Sequence, residues 1–168
     1  MNKLPEVWLR GPIDGILPLL QPAAHALQQV REDVEQAVEG LTAPELWARP
    51  GGTAAIGFHL LHLAGSLDRL LTYSRGEALS PAQRAALAAE QTAYQDRPGL
   101  DHLLAGCRTG IERALDYLRT VPVEGLLQPR EVGRQRLPST TLGLIFHAAE
   151  HAARHAGQVA TLVRVVRV

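Results

Sequence analysis

Apolar residues recur every three or four positions through most of the chain, the period of helices that bury one face. From Leu19 to Glu39 the stretch LLQPAAHALQQVREDVEQAVE follows that pattern. Pro12, Pro18 and Pro22 crowd its approach, and Gly40 stops it. Thr42-Ala43-Pro44-Glu45 has the spacing of a capping box and predicts a short turn. Pro50-Gly51-Gly52 breaks the chain, and Thr53 is the expected N-cap of a second long helix ending at Arg75 before Gly76. Its cleanest apolar stripe, Ile56, Leu60, Leu63, Leu67 and Leu70, should face the core.

Ser80-Pro81-Ala82-Gln83 joins an N-cap, a proline at the first helical position and a glutamine partner, predicting a short extra helix over Pro81 to Gln91. After Pro98-Gly99 a third long helix is expected from Leu100 to Thr120, its apolar face supplied by Leu103, Leu104, Ile111, Leu115 and Leu118. Pro122 to Pro138 reads as a loop or a brief hairpin. Ser139 or Thr140 then caps a last helix that runs from Thr141 almost to the end. Four long helices with short or medium connections predict an all-α fold, an up-down four-helix bundle with a short extra helix between helices 2 and 3. With no repeat, low-complexity tract or compositional break, residues 1–168 form one expected domain.

Lys+Arg and Asp+Glu are both 17, so no broad positive field exists to draw in phosphate backbones or anionic lipid. Neither nucleic acid nor a membrane is an expected partner. A single cysteine, Cys107, cannot form an internal disulfide and fits a reducing compartment, so the cytoplasm is the expected location. No apolar run reaches the length of a transmembrane helix.

The chemistry concentrates in the histidines. Five of the seven lie in two helical segments: His59 and His62 in the second helix, and His147, His151 and His155 in the last. Residues four apart stack on one helix face, so His151 and His155 can grip one ion and leave a third ligand to a facing helix. The heptad seam Leu144, Ala148, His151, His155, Gln158, Leu162 and Val165 points both inward, where unpaired imidazoles would be costly. His147 falls off that seam. On the second helix the stripe Phe58, His62, Ser66, Arg69 and Tyr73 flanks the core, making His62 the third expected ligand and His59 the reserve. Arg69 on that stripe is placed to meet a carboxylate bidentately and Tyr73 to donate a hydrogen bond, so both are expected to line a ligand pocket. Gln158 is expected to hydrogen-bond around the ligands. Three neutral nitrogens would leave a coordination position open for water or substrate. Cys107 reads as a buried, idle thiol, Glu150 as a solvated helix residue, and His25 and His102 as surface residues.

GFHLLHLAGSLDRLLTY and EHAARHAGQ together resemble the DinB/YfiT-like superfamily, whose members carry a His in the second helix and HxxxH, usually followed by Gly-Gln, in the last. The resemblance covers nearly the whole chain in helix order and length. It implies a metal triad on His62, His151 and His155, a divalent ion such as zinc or nickel, and a homodimer. Some members are thiol-dependent, conjugating bacillithiol, mycothiol or glutathione to electrophiles or using the thiol in isomerisation.

Two readings from different classes follow. The first is a metal-dependent enzyme, a thiol-dependent S-transferase acting on a small-molecule substrate with a low-molecular-weight thiol, or in a variant a hydrolase using metal-bound water. The second is a metal-binding dimeric bundle without turnover, serving sensing, sequestration or protein contacts. Nothing beyond the histidines supplies a committed acid, base or nucleophile, which keeps the second reading open.

Overall fold

The computed structural model describes residues 4–168, and the fold is the expected all-α bundle. Its four long helices are α1 (Gln21–Ala37), α3 (Ile56–Ser74), α6 (Leu100–Thr120) and α7 (Thr141–Val166). Short helices α2 (Ala43–Trp47), α4 (Pro81–Ala89) and α5 (Ala93–Asp96) lie in the connections. An antiparallel hairpin, β1 (Pro129–Val132) with β2 (Leu137–Thr140), precedes α7. No described helix is long and apolar enough to cross a membrane.

Local chemistry accounts for most element starts. Ser80 and Gln83 form the expected reciprocal box at α4: Gln83 N–H donates to Ser80 Oγ at 3.1 Å and Ser80 N–H to Gln83 Oε1 at 2.9 Å. Thr140 Oγ1 accepts the Gly143 N–H at 3.0 Å and caps α7. At α3 the structure corrects the expected cap. Thr53 turns its hydroxyl back to the Pro50 carbonyl, Ala55 is the N-cap, and the Ala55 N–H is satisfied at 3.0 Å by the Tyr94 hydroxyl from the α3–α6 connector. A tertiary partner replaces the local one.

Each long helix buries a stripe of the 3.6 period: Leu27, Val30 and Val34 of α1, Ile56, Leu60, Leu63 and Leu67 of α3, and Leu103, Ile111 and Leu118 of α6. On α7 the inward stripe is Leu144, Ile145, Ala148, Ala149, Ala152, Ala156, Val159 and Val163, so the expected seam holds in its first two turns and the buried face turns away from it beyond Ala148. From there it lies one residue round from the expected seam, which would have buried Gln158 and Val165; both are exposed. His151 and His155 therefore stand half-buried at the edge of the core, on the side facing α3.

Helix directions follow from side-chain meetings. His59 meets His155 and His62 approaches His151, so α3 and α7 are antiparallel. Cys107 reaches Leu60 and Tyr117 reaches Ser74, so α3 and α6 are parallel. Around the bundle the order is α1, α6, α3, α7, with successive long helices α1 and α3 on opposite corners. Simple up-down alternation fails at α6, because the connector from Arg75 to Gly99 carries the chain back along the bundle before α6 starts. The same connector lays α4 and α5 beside α3, against the site.

Candidate metal centre

Antiparallel packing of α3 on α7 places two histidines of each helix face to face. One nitrogen from each of His62, His151 and His155 lies within 4.8 Å of the others. His62 Nε2 and His151 Nε2 are 3.2 Å apart. Two nitrogens on one tetrahedral zinc at the usual bond lengths are separated by about 3.3 Å, so the spacing suits a shared ion. These are the three ligands expected from the sequence.

The outer nitrogens of the cluster are also engaged. His62 Nδ1–H donates to Glu90 Oε2 at 2.7 Å, leaving Nε2 to face the cluster. Nδ1 of His155 meets Nδ1 of His59 at 2.9 Å, which leaves its own Nε2 as the available donor. Arg154 donates to His151 Nδ1 at 3.0 Å. Phe58 stacks on the His62 ring with centroids 5.6 Å apart and 9° between planes, and Tyr94 lies parallel to Phe58 with centroids 6.1 Å apart. His62 is thus fixed by a carboxylate at its edge and an aromatic stack on its face.

The profile of the DinB superfamily matches residues 26–159. This chain belongs to the DinB superfamily. No curated protein matches it. The matched stretch of this DinB-superfamily chain takes in all four clustered histidines and Glu90.

Burial, followed by the neighbouring imidazoles His151, His62 and His59 and the cationic Arg154, drives the His155 pKa down to about 3. Burial and then His62 lower His151 as well, and the same two causes lower His59. All three are neutral near pH 7, the state in which imidazole binds a cation. Burial pushes the Glu90 carboxyl up, but hydrogen bonds from His62 and Arg69 outweigh it and hold Glu90 below the usual carboxylate range.

Other expected site residues fall in different places. Arg69 does meet a carboxylate, but one of this chain: its guanidinium is buried and pairs with Glu90 Oε1 at 2.6 Å and Oε2 at 3.4 Å. Tyr73 lies roughly 16 Å further along α3 than His62, at the helical rise per residue. It lines a separate surface cavity with Gly76, Arg130 and Arg136. Gln158 is exposed, and it lines a groove with Thr53, His59, Arg154, Thr161 and Leu162 beside the cluster. His147 pairs with Glu150 at 2.6 Å outside the cluster.

Glu90 is the site residue that the sequence reading missed. Its only signal was a lone acid in the alanine-rich run RAALAAEQ, at the end of a short helix with no apolar period of its own. Cys107 behaves as expected: it is buried, its Sγ–H points to the Leu60 carbonyl at 3.3 Å, and burial pushes the thiol up to about 12.

Proposed function

We propose that this chain binds one divalent ion, zinc or nickel, on His62, His151 and His155, and acts as a metal-dependent transferase on a low-molecular-weight thiol. The observation that carries this reading is the three-imidazole cluster itself, spaced for one ion, beside a groove that opens at His59. When bound, a divalent ion supplies Lewis acidity, which favours thiolate over thiol at neutral pH.

The residues around the cluster favour thiol transfer over hydrolysis. Hydrolysis assisted by a general base calls for a group that takes a proton from water during attack, and without one that deprotonation falls to the ion's Lewis acidity alone. The two carboxylates nearest the ligands are both committed, Glu90 to Arg69 and His62, and Glu150 to His147 and Arg154. A thiolate needs no such base. Its sulfur forms the new bond to the electrophile, and the displaced electron pair leaves with chloride or stays on the opened epoxide or quinone oxygen, which takes a proton from the solvent that received the thiol proton. The buried Cys107 cannot supply that sulfur, so the thiol comes from outside the chain. Arg154, exposed on the groove, offers a positive charge to an acidic group of such a thiol.

The test is metal content by elemental mass spectrometry on untagged protein, combined with thiol-dependent consumption of a panel of chloroaromatic, epoxide and quinone electrophiles. About one ion per chain and turnover in wild type, with both lost in a folded His151→Ala variant, support the transferase. Metal uptake with neither thiol binding nor turnover supports a non-catalytic metal-binding bundle instead.

A further inference from the structure

Glu90 is 3% exposed, although it closes α4, a helix that buries no side chain of its own. Arg69 alone would balance its charge. Yet Arg69 holds chiefly Oε1, at 2.6 Å against 3.4 Å to Oε2, and Oε2 takes His62 Nδ1 at 2.7 Å. Room for the arrangement comes from α3 itself. At Gly65 a Cβ would stand 2.5 Å from Glu90 Oε1 and 2.7 Å from Arg69 Nη1, so the helix carries its poorest non-proline former where the ion pair lies.

We propose that Glu90 is the positioning residue of the metal centre, fixing His62 in the Nδ1–H form with Nε2 toward the ion and making the α3–α6 connector part of the site. The inference rests on the metal-site reading above. A carboxylate behind a ligand imidazole sets its tautomer and ring orientation and strengthens it as a donor. Arg69 cancels the carboxylate's charge, so the buried pair adds no net charge beside the donor set. The connector touches the bundle at few buried points, chiefly Glu90 and Ala93 with the half-buried Tyr94. Linkage is therefore reciprocal: an ion that holds His62 holds Glu90, and with it the connector.

The experiment compares wild type, Glu90→Gln and the double variant Glu90→Leu, Arg69→Met, which removes both charges instead of stranding one. Zinc affinity is read by competition with a chromophoric chelator, and connector docking by trypsin cleavage after the exposed Arg84 with and without zinc. Expected are a Kd raised about 10- to 100-fold in the double variant with helical content kept, and a raised Kd in Glu90→Gln as well, whose single amide oxygen accepts from His62 or from Arg69 but not from both. Zinc should slow cleavage after Arg84 in wild type and leave the double variant unprotected. A folded double variant with wild-type Kd overturns the inference while leaving the metal centre standing. Absence of zinc protection in wild type that binds the ion overturns it without any variant. Wild type that takes up no zinc, nickel or manganese overturns both readings together.

Discussion

His59 Nδ1 stands 2.9 Å from His155 Nδ1, and the two rings are tilted 46° to one another. Only one of these nitrogens carries the proton. When His155 offers Nε2 to an ion, its Nδ1–H is the donor and His59 the acceptor, which casts His59 as the support of a ligand. His59→Phe should therefore weaken zinc binding about tenfold. Replacing His62, His151 or His155 with Ala should abolish it. Chelator competition measures both. Complete loss in His59→Phe would make His59 a ligand, and an unchanged Kd would make it a bystander.

Acid should destabilise the metal-free protein through the same cluster. Unfolded, His155 takes up a proton near pH 6.5; folded, it resists protonation down to about pH 3 because of burial and its imidazole neighbours. His59 and His151 are lowered in the same direction. Between those limits the unfolded state binds more protons, so this stability is fully present above pH 6.5 and is lost as pH falls toward the folded pKa. In the presence of a chelator, the melting temperature should fall from pH 7 to pH 5, above the carboxylate range. His155→Leu should flatten that slope. A wild-type melting temperature level across this window contradicts the assignment.

Arg154 works against the ion. Its guanidinium donates to His151 Nδ1, so the His151 proton resides on Nε2, the nitrogen that faces His62. Ion binding needs that proton moved to Nδ1, where it confronts Arg154, and it sets a cation near a second positive charge. Arg154→Leu should tighten zinc binding about two- to fivefold, the scale of an exposed charge interaction. Isothermal titration in low salt reads this directly. Weaker binding would show instead that Arg154, with Glu150, braces the ligand helix.

Legibility in the sequence divided along the range of the interactions. Proline, glycine and capping residues are local signals, and they placed α6 at Leu100–Thr120 and the start of α7 at Thr141 to the residue. The histidine cluster was legible because helical spacing puts His151 and His155 on one face and His62 opposite a neighbouring helix. The inward face of α7 was misread beyond its first two turns: Leu144, Ile145, Ala148 and Ala149 are all buried, and packing against α1 and α3 together then takes the Ala152, Ala156, Val159, Val163 stripe inward in place of Gln158 and Val165. Glu90 and Arg69 were beyond local reasoning. Their meeting depends on the path of a connector that returns along the bundle, and no periodicity encodes that path.

Cys107 separates the external-thiol reading from one in which the protein supplies its own sulfur. Its thiol is 3% exposed, points at the Leu60 carbonyl from the middle of α6, and is pushed up to about 12 by burial. Nucleophilic attack requires thiolate, and at pH 7 a thiol held that high provides only about one part in a hundred thousand. Native protein should therefore resist iodoacetamide and aromatic disulfide reagents for hours and label one thiol per chain once unfolded in guanidinium. Cys107→Ala should keep thiol-dependent turnover and lose about 1 kcal/mol or more of stability, the consequence of deleting a buried sulfur from a packed core. Rapid labelling of folded protein, or a Cys107→Ala variant that binds metal and external thiol normally yet does not turn over, would move the reacting sulfur inside the chain.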